Sequence, residues 1–354
     1  MQITDTSIRF IRPDDWHLHL RDGEALAAVL ADSARQFARA IVMPNLKPPV
    51  TTVEMAQAYK ERIEAVMRAK HIQGFTPLMT LYLTDNTTPE EVKKAAESGF
   101  VKAFKLYPAG ATTNSDAGVT DLLGRCSAAL EAMQKYGIPL LTHGEVTNPS
   151  IDLFDREAVF IDQVMIPVRK AFPELKVVFE HITTKHGAHY VRDAEGMIGA
   201  TITPQHLLYN RNAIFQGGIR PHYYCLPVLK REEHRQALVE AATSGNPRFF
   251  LGTDSAPHAK GAKEAACGCA GCYSALHALE LYATAFEKAG KLAALEGFAS
   301  LHGPAFYGLP VNTESVTLEK KAFAIPDALT YAEGQSLVPL AAGESLAWSF
   351  VENS

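Results

Sequence analysis

No stretch of the sequence is apolar for long enough to cross a bilayer as a helix. Nor does positive charge dominate: 34 Lys and Arg stand against 39 Asp and Glu, a net charge of −5. Nucleic acids and anionic membranes call for a basic footprint, so neither is expected as a partner. Cysteine is sparse. The five are Cys126, Cys225, Cys267, Cys269 and Cys272, and an odd count in 354 residues is not a disulfide framework. The opening segment MQITDTSIRFIRPDDW lacks the basic region, apolar core and cleavage site of a secretory leader. A reducing, cytoplasmic setting is the expectation. Low-complexity tracts, linker-like segments and short repeats are missing too. No G-x-G-x-x-G follows the first predicted strand, so nothing supports dinucleotide binding.

What the sequence does contain is an alternation. Apolar, β-branched runs fall at about 9–19, 40–44, 77–83, 100–107, 138–143, 176–181, 199–203 and 248–254. Amphipathic stretches lie between them: GEALAAVLADSARQ, EMAQAYKERIEAVMRAK, PEEVKKAAES and DLLGRCSAALEAMQKYG. Short runs apolar on both faces, separated by helices, predict a parallel sheet. Eight such units in one α/β domain predict a closed (β/α)8 TIM barrel rather than an open doubly wound sheet. The chain thus reads as a single domain over 1–354. Residues from about 274 form an extension, helical over 274–300 and then short strands and turns over 312–354, packed on the barrel.

Ionisable residues mark the ends of these runs. The first ends in His17-Leu18-His19, and residues two apart on a strand share a face. The fourth carries Lys105, the fifth ends in His143, the sixth in His181 and the eighth in Asp254. Barrel enzymes build their active sites at the C-terminal ends of the strands. Taken singly, each residue has a plain structural reading, such as a satisfied histidine or a helix cap. Agreement at five strand ends favours a site.

Lys105 is the anomaly, because an apolar strand is a costly place for an ammonium. Burial lowers a lysine pKa and frees the neutral amine, which can add CO2 to give a carbamate. That N6-carboxylysine is an anionic ligand able to bridge two cations. The expectation is therefore two Zn2+ ions, with Co2+ or Mn2+ as substitutes. One would take His17, His19, Lys105 and Asp254. The other would take Lys105, His143 and His181.

The pattern His17-x-His19, Lys105, His143, His181, Asp254 resembles the amidohydrolase superfamily. The longer strings DWHLHLRDG, MPNLKPPVTT, KLYPAGATTNSDAGV, VFEHITTKHG, RPHYYCLPVLKR and LGTDSAPHAKGAKEAACGCAGC are similar to those of the bacterial type of dihydroorotase, over nearly the whole chain. The resemblance implies reversible hydrolysis of dihydroorotate to N-carbamoyl-aspartate in pyrimidine synthesis, by a hydroxide bridging the metals. Asp254 would serve as metal ligand and as proton carrier, accepting the hydroxide proton and delivering it to the ring nitrogen. Arg21, Asn45 and His258 would clamp the substrate carboxylate. Backbone groups near Leu226 and Ala270 would complete the pocket. Thr112 and Thr113, in the small-residue loop Pro108–Gly118, would close over the substrate as a lid. A homodimer is implied as well.

Cys267-x-Cys269-x-x-Cys272 has the look of a metal site, but no fourth ligand lies nearby in sequence. The thiols are read as reduced and non-ligating. Three alternatives share the barrel: a hydantoinase- or allantoinase-like cyclic amidase, a mononuclear deaminase-like site and a non-catalytic scaffold. The carboxylate clamp argues against the first, Lys105 against the second and the complete ligand set against the third.

Overall fold

The computed structural model describes residues 1–266 and 268–352. Eight parallel strands form one sheet in chain order: β1 (Asp14–Leu18), β2 (Arg39–Val42), β3 (Thr76–Tyr82), β4 (Val101–Leu106), β5 (Leu140–Thr142), β6 (Val177–Phe179), β7 (Ile198–Ile202) and β8 (Phe249–Leu251). Every predicted apolar run supplies one of them. Most of these strands are buried at every position, which is why their sequences run apolar rather than alternating.

Helices between the strands start where capping residues place them. Thr52 accepts from Met55 N at the head of helix Val53–Ala69, and Thr88 accepts from Glu91 N ahead of Pro89–Glu97. Their apolar faces join one core running around the outside of the sheet. A second cluster fills the barrel from below: Trp16, Ile41, Leu78, Ala103, Leu141, Val178 and Phe250, closed by Phe306 and Tyr307. The barrel interior is thus a packed core, not a pore.

Three predicted boundaries shift. The run 9–19 is two strands, because Pro13 separates barrel strand β1 from Ser7–Ile11, which pairs antiparallel with Ser315–Glu319. The stretch 121–137 is two helices, Leu122–Arg125 and Ser127–Tyr136, interrupted at buried Cys126, whose thiol reaches Thr84 O at 3.6 Å. Within 274–300, helix Ala278–Lys288 ends near Gly290, and shorter turns follow. The strands of the tail are two to five residues long.

The barrel closes between β1 and β8 with little regular ladder. Asp254 N donates to His17 O (2.9 Å) and His19 N to Ser255 O (3.2 Å). Below them a side chain bridges the gap. Asp15 Oδ1 accepts from His17 N (3.1 Å) and Thr253 N (2.9 Å), while its Oδ2 accepts from Thr253 Oγ1 (2.6 Å). Gly252 permits this approach, because a Cβ there would lie 2.7 Å from the Thr201 Cβ and 3.2 Å from the His17 Cβ.

Candidate active site

The interior cluster dictates what stands above it. Residues two apart share a face, so Ala103 places Lys105 inward, Leu141 places His143, and Val178 places Glu180. Four residues on, Ile41 aligns with Asn45 and Phe250 with Asp254. In β1 the register shifts between Asp15 and Leu18. That irregularity lets Trp16 fill the core while His17 and His19 reach the rim.

Most of these side chains meet in one narrow cleft at the barrel mouth, with Lys105 and Glu180 buried beneath its lining. Its lining includes His17, His19, Arg21, Asn45, Thr112, Thr113, His143, His181, Leu226, Asp254 and Ala270. Ligand atoms of His17, His19 and Asp254 all lie within 4.8 Å of one another. The His181 ring is centred 4.9 Å from the ring of His17 and 4.9 Å from that of His143. Lys105 lies fully buried, its Nζ 4.8 Å from the centre of the Tyr107 ring. His258 stands behind Arg21, with Nε2 2.9 Å from the guanidinium Nη2 and 3.0 Å from Ala270 O.

Burial sets the protonation states. Desolvation drives the pKa values of His17, His19 and His181 down, so these imidazoles are neutral and able to ligate. It brings Lys105 down to about 8, against the opposing pull of Glu180 and Asp254. Burial pushes the Asp254 carboxyl up, but the hydrogen bond from His19 and the charge of Lys105 oppose it and hold the pKa below the usual carboxylate range. His258 falls to about 2, through burial and then Arg21, and stays neutral.

A metal fits these groups. The Nζ of Lys105 and Nδ1 of His181 are buried with no hydrogen-bond partner among the described residues. Unpaired polar atoms in a dry site are costly unless something binds them. The donor set, imidazole nitrogen with carboxylate oxygen, suits zinc. The backbone is strained where these groups turn inward: φ is +58° at Arg21, +39° at His181 and +46° at Asp254.

The loop Pro108–Gly118 lies across the mouth. Asn45 Nδ2 donates to Thr113 O (3.2 Å), Asn114 Nδ2 to Asn45 O (3.1 Å), and Thr113 Oγ1 to Ala270 O (3.4 Å). These polar contacts tie the loop tip to the rim of the barrel.

The sequence pattern of the amidohydrolase family matches residues 10–347. The chain belongs to the amidohydrolase family. Within it, a curated dihydroorotase from Ralstonia pickettii is 69% identical over 349 residues, 99% of this chain and 100% of its own length. The crystal structure of a dihydroorotase from Campylobacter jejuni superimposes with a TM-score of 0.88 at 36% identity, covering 99% of each chain. That of a Saccharomyces cerevisiae dihydroorotase in complex with 5-fluoroorotic acid also gives 0.88, at 32% identity and 98% of each chain.

This amidohydrolase carries carboxyls that the sequence reading passed over. Glu180 Oε2 lies 2.9 Å from His17 Nδ1, and Glu145 Oε2 lies 2.7 Å from His143 Nε2. With Asn45 Oδ1 2.9 Å from His19 Nδ1, three imidazoles each have one ring nitrogen oriented by a partner, and the opposite nitrogens of His17 and His19 face Asp254 Oδ1 at 3.4 and 3.1 Å. The signal for Glu180 and Glu145 was spacing: each falls on the inward face just above an interior residue or two beyond a predicted ligand. His206 is buried and spent on Thr203 and Pro227 O. Cys126, Cys225, Cys269 and Cys272 are free thiols, and none joins the ligand cluster. Cys267 lies outside the described residues.

Proposed function

We propose that this amidohydrolase is a zinc-dependent dihydroorotase, interconverting dihydroorotate and N-carbamoyl-aspartate in pyrimidine synthesis. The observation that carries the reading is the union of a carboxylate clamp, Arg21 with Asn45, and the His17–His19–Asp254 cluster in one cleft. Two metal ions, held by His17, His19, Asp254 and carboxylated Lys105 on one side and by Lys105, His143 and His181 on the other, would polarise the amide carbonyl and acidify water.

Arg21 and His258 hold the ring carboxylate, the guanidinium in bidentate fashion. Asn45 positions the His19 ring and meets the same carboxylate. Asp254, ionised and buried, takes the proton of the attacking water. As the new C–O bond forms and the ring C–N bond breaks, Asp254 passes that proton to the departing nitrogen. Thr112 and Thr113 close from above, and the backbone at Leu226 and Ala270 receives the rest of the ring. Exclusion of water strengthens every charge inside.

The chain is read as one domain with its extension packed on the barrel, working in the cytoplasm as a homodimer. The cytoplasmic setting rests on the cysteine content and the dimer on the resemblance; light scattering of the purified protein checks the dimer. The direct test of the activity is ultraviolet absorbance during dihydroorotate hydrolysis, with and without a chelator. Zinc-loaded protein that leaves dihydroorotate untouched would overturn the assignment.

A further inference from the structure

Lys263 belongs to none of the sets above, yet it is only 3% exposed. An ammonium group carries three N–H donors and no acceptor. All three meet backbone carbonyls: Tyr224 O at 2.8 Å, Cys269 O at 2.8 Å and Gly271 O at 2.6 Å. Carbonyl dipoles, with the Tyr224 ring centred 5.7 Å from Nζ, solvate this buried charge; among the described residues Lys263 makes no ion pair.

Where those carbonyls sit gives the lysine its meaning. Cys269 and Gly271 flank Ala270, which lines the cleft, and Tyr224 lies two residues before Leu226, which lines it too. Gly271 N also donates to Tyr224 O, at 3.0 Å. One ammonium thus ties together two loops whose inner residues are Leu226 and Ala270. Gly271 has no slack: at φ +146°, a Cβ would lie 2.7 Å from the Ala256 Cβ and 3.0 Å from His258 Cδ2. The Ala270 carbonyl, in turn, stands 3.0 Å from His258 Nε2. Removing the ammonium leaves the Cys269 and Gly271 carbonyls without their Lys263 donor and Tyr224 O with Gly271 N alone, three dipoles converging on one point with no charge between them.

We propose that Lys263 is a positioning residue for substrate binding. Its ammonium fixes the backbone at Ala270 and Leu226 on which the dihydroorotate ring rests. The assignment depends on the dihydroorotase reading for the substrate, but not for the loop anchoring.

Lys263→Met keeps most of the side-chain length and deletes all three donors. In zinc-loaded protein, KM for dihydroorotate should rise about tenfold or more, with kcat within about threefold and metal content unchanged. Amide hydrogen exchange over 268–272 should quicken in the substrate-free protein. A lowered Tm with KM and exchange at wild-type values would mean a merely structural lysine and overturn the proposal. Lys263→Gln, with two donors on a shorter arm, gives the same reading by the same split should the Met variant fail to fold. Wild-type protein assayed alongside separates the two ideas. An inactive wild type defeats the substrate reading, while the exchange rates still decide whether Lys263 holds the loops.

Discussion

The ring of His17 is held at Nδ1 by Glu180, whose carboxylate oxygen lies 2.9 Å away. The same oxygen accepts from Thr201 Oγ1 at 2.5 Å, so the carboxylate is itself oriented. This arrangement leaves His17 Nε2 toward Asp254, 3.4 Å away. Burial raises the pKa of the Glu180 carboxyl to about 8, and Glu180→Gln keeps the shape while replacing it by an amide that cannot ionise. Zinc affinity, measured by competition with a chelator, should fall by about 10- to 100-fold. An unchanged affinity would remove Glu180 from the metal centre.

In the proposed two-metal site, the second metal would depend on Lys105. Lys105→Ala deletes the amine that would carry the bridging carbamate. Metal analysis should find about one zinc per chain or fewer, against two in the wild type, with turnover down at least a hundredfold or so. Wild-type protein loaded in 13C-labelled bicarbonate should show a carbamate carbon resonance that the variant lacks. Two zinc ions retained by the variant would rule out the bridge.

In the proposed reading, Arg21 would separate dihydroorotate from cyclic amides without a carboxylate. Its Nε donates to Pro257 O at 3.1 Å, which aims the guanidinium along the rim. Arg21→Met should lower kcat/KM for dihydroorotate on the order of a hundredfold, as loss of a charged hydrogen-bonded pair implies. Zinc content should not change, and hydrolysis of dihydrouracil should be no worse than in the wild type. Equal losses on both substrates would point to damage rather than to lost recognition.

His277 predicts a pH dependence of stability. It is fully buried, and its Nε2 donates to Leu340 O at 2.9 Å, tying the C-terminal extension to the helix Ala278–Lys288. Burial lowers its pKa from 6.5 to about 4, although the Leu340 bond opposes the shift. The unfolded chain therefore binds the proton more readily than the folded one between those values. Stability contributed by this group is complete above pH 6.5 and is lost as pH falls toward 4, on the order of 3 kcal/mol. His277→Gln keeps a donor for Leu340 and does not titrate. Its stability, from denaturant melts of metal-free protein, should change less over that window than the wild type's. Parallel curves would exclude His277 as the source.

Much of the barrel was legible because a parallel strand is buried on both faces and must be written in apolar residues. The helix Gly23–Gln36 was legible from its period alone. The site was legible where an ionisable residue interrupted such a run, as at Lys105 and Asp254. Other parts had no such mark. Glu180 stood beside His181 and was hidden by it, since the chain turns at His181 (φ +39°) and brings two successive residues to the rim. Lys263 leaves no trace in sequence because its partners are carbonyls, which every residue possesses. The split at Pro13 could be read, since proline cannot donate to a ladder.

Asp15 supplies the last prediction, because the barrel closes through its side chain. It is fully buried, and burial raises its pKa to about 7 despite the donors from Thr253 and His17. Asp15→Ala would strand the amides of His17 and Thr253, each at about 1–3 kcal/mol, and would leave the Thr253 hydroxyl with only His17 O, 3.3 Å away. These losses overlap, so the expected cost is about 3–5 kcal/mol, read as a fall in Tm of metal-free protein by calorimetry. Asp15→Asn retains one acceptor oxygen and should lose less than half of that. The two strands joined here carry His17 and Asp254, so zinc affinity should fall with stability in the Ala variant and recover partly in the Asn variant. An Ala variant as stable as the wild type would mean that the backbone pairs at His17–Asp254 and His19–Ser255 close the barrel without help.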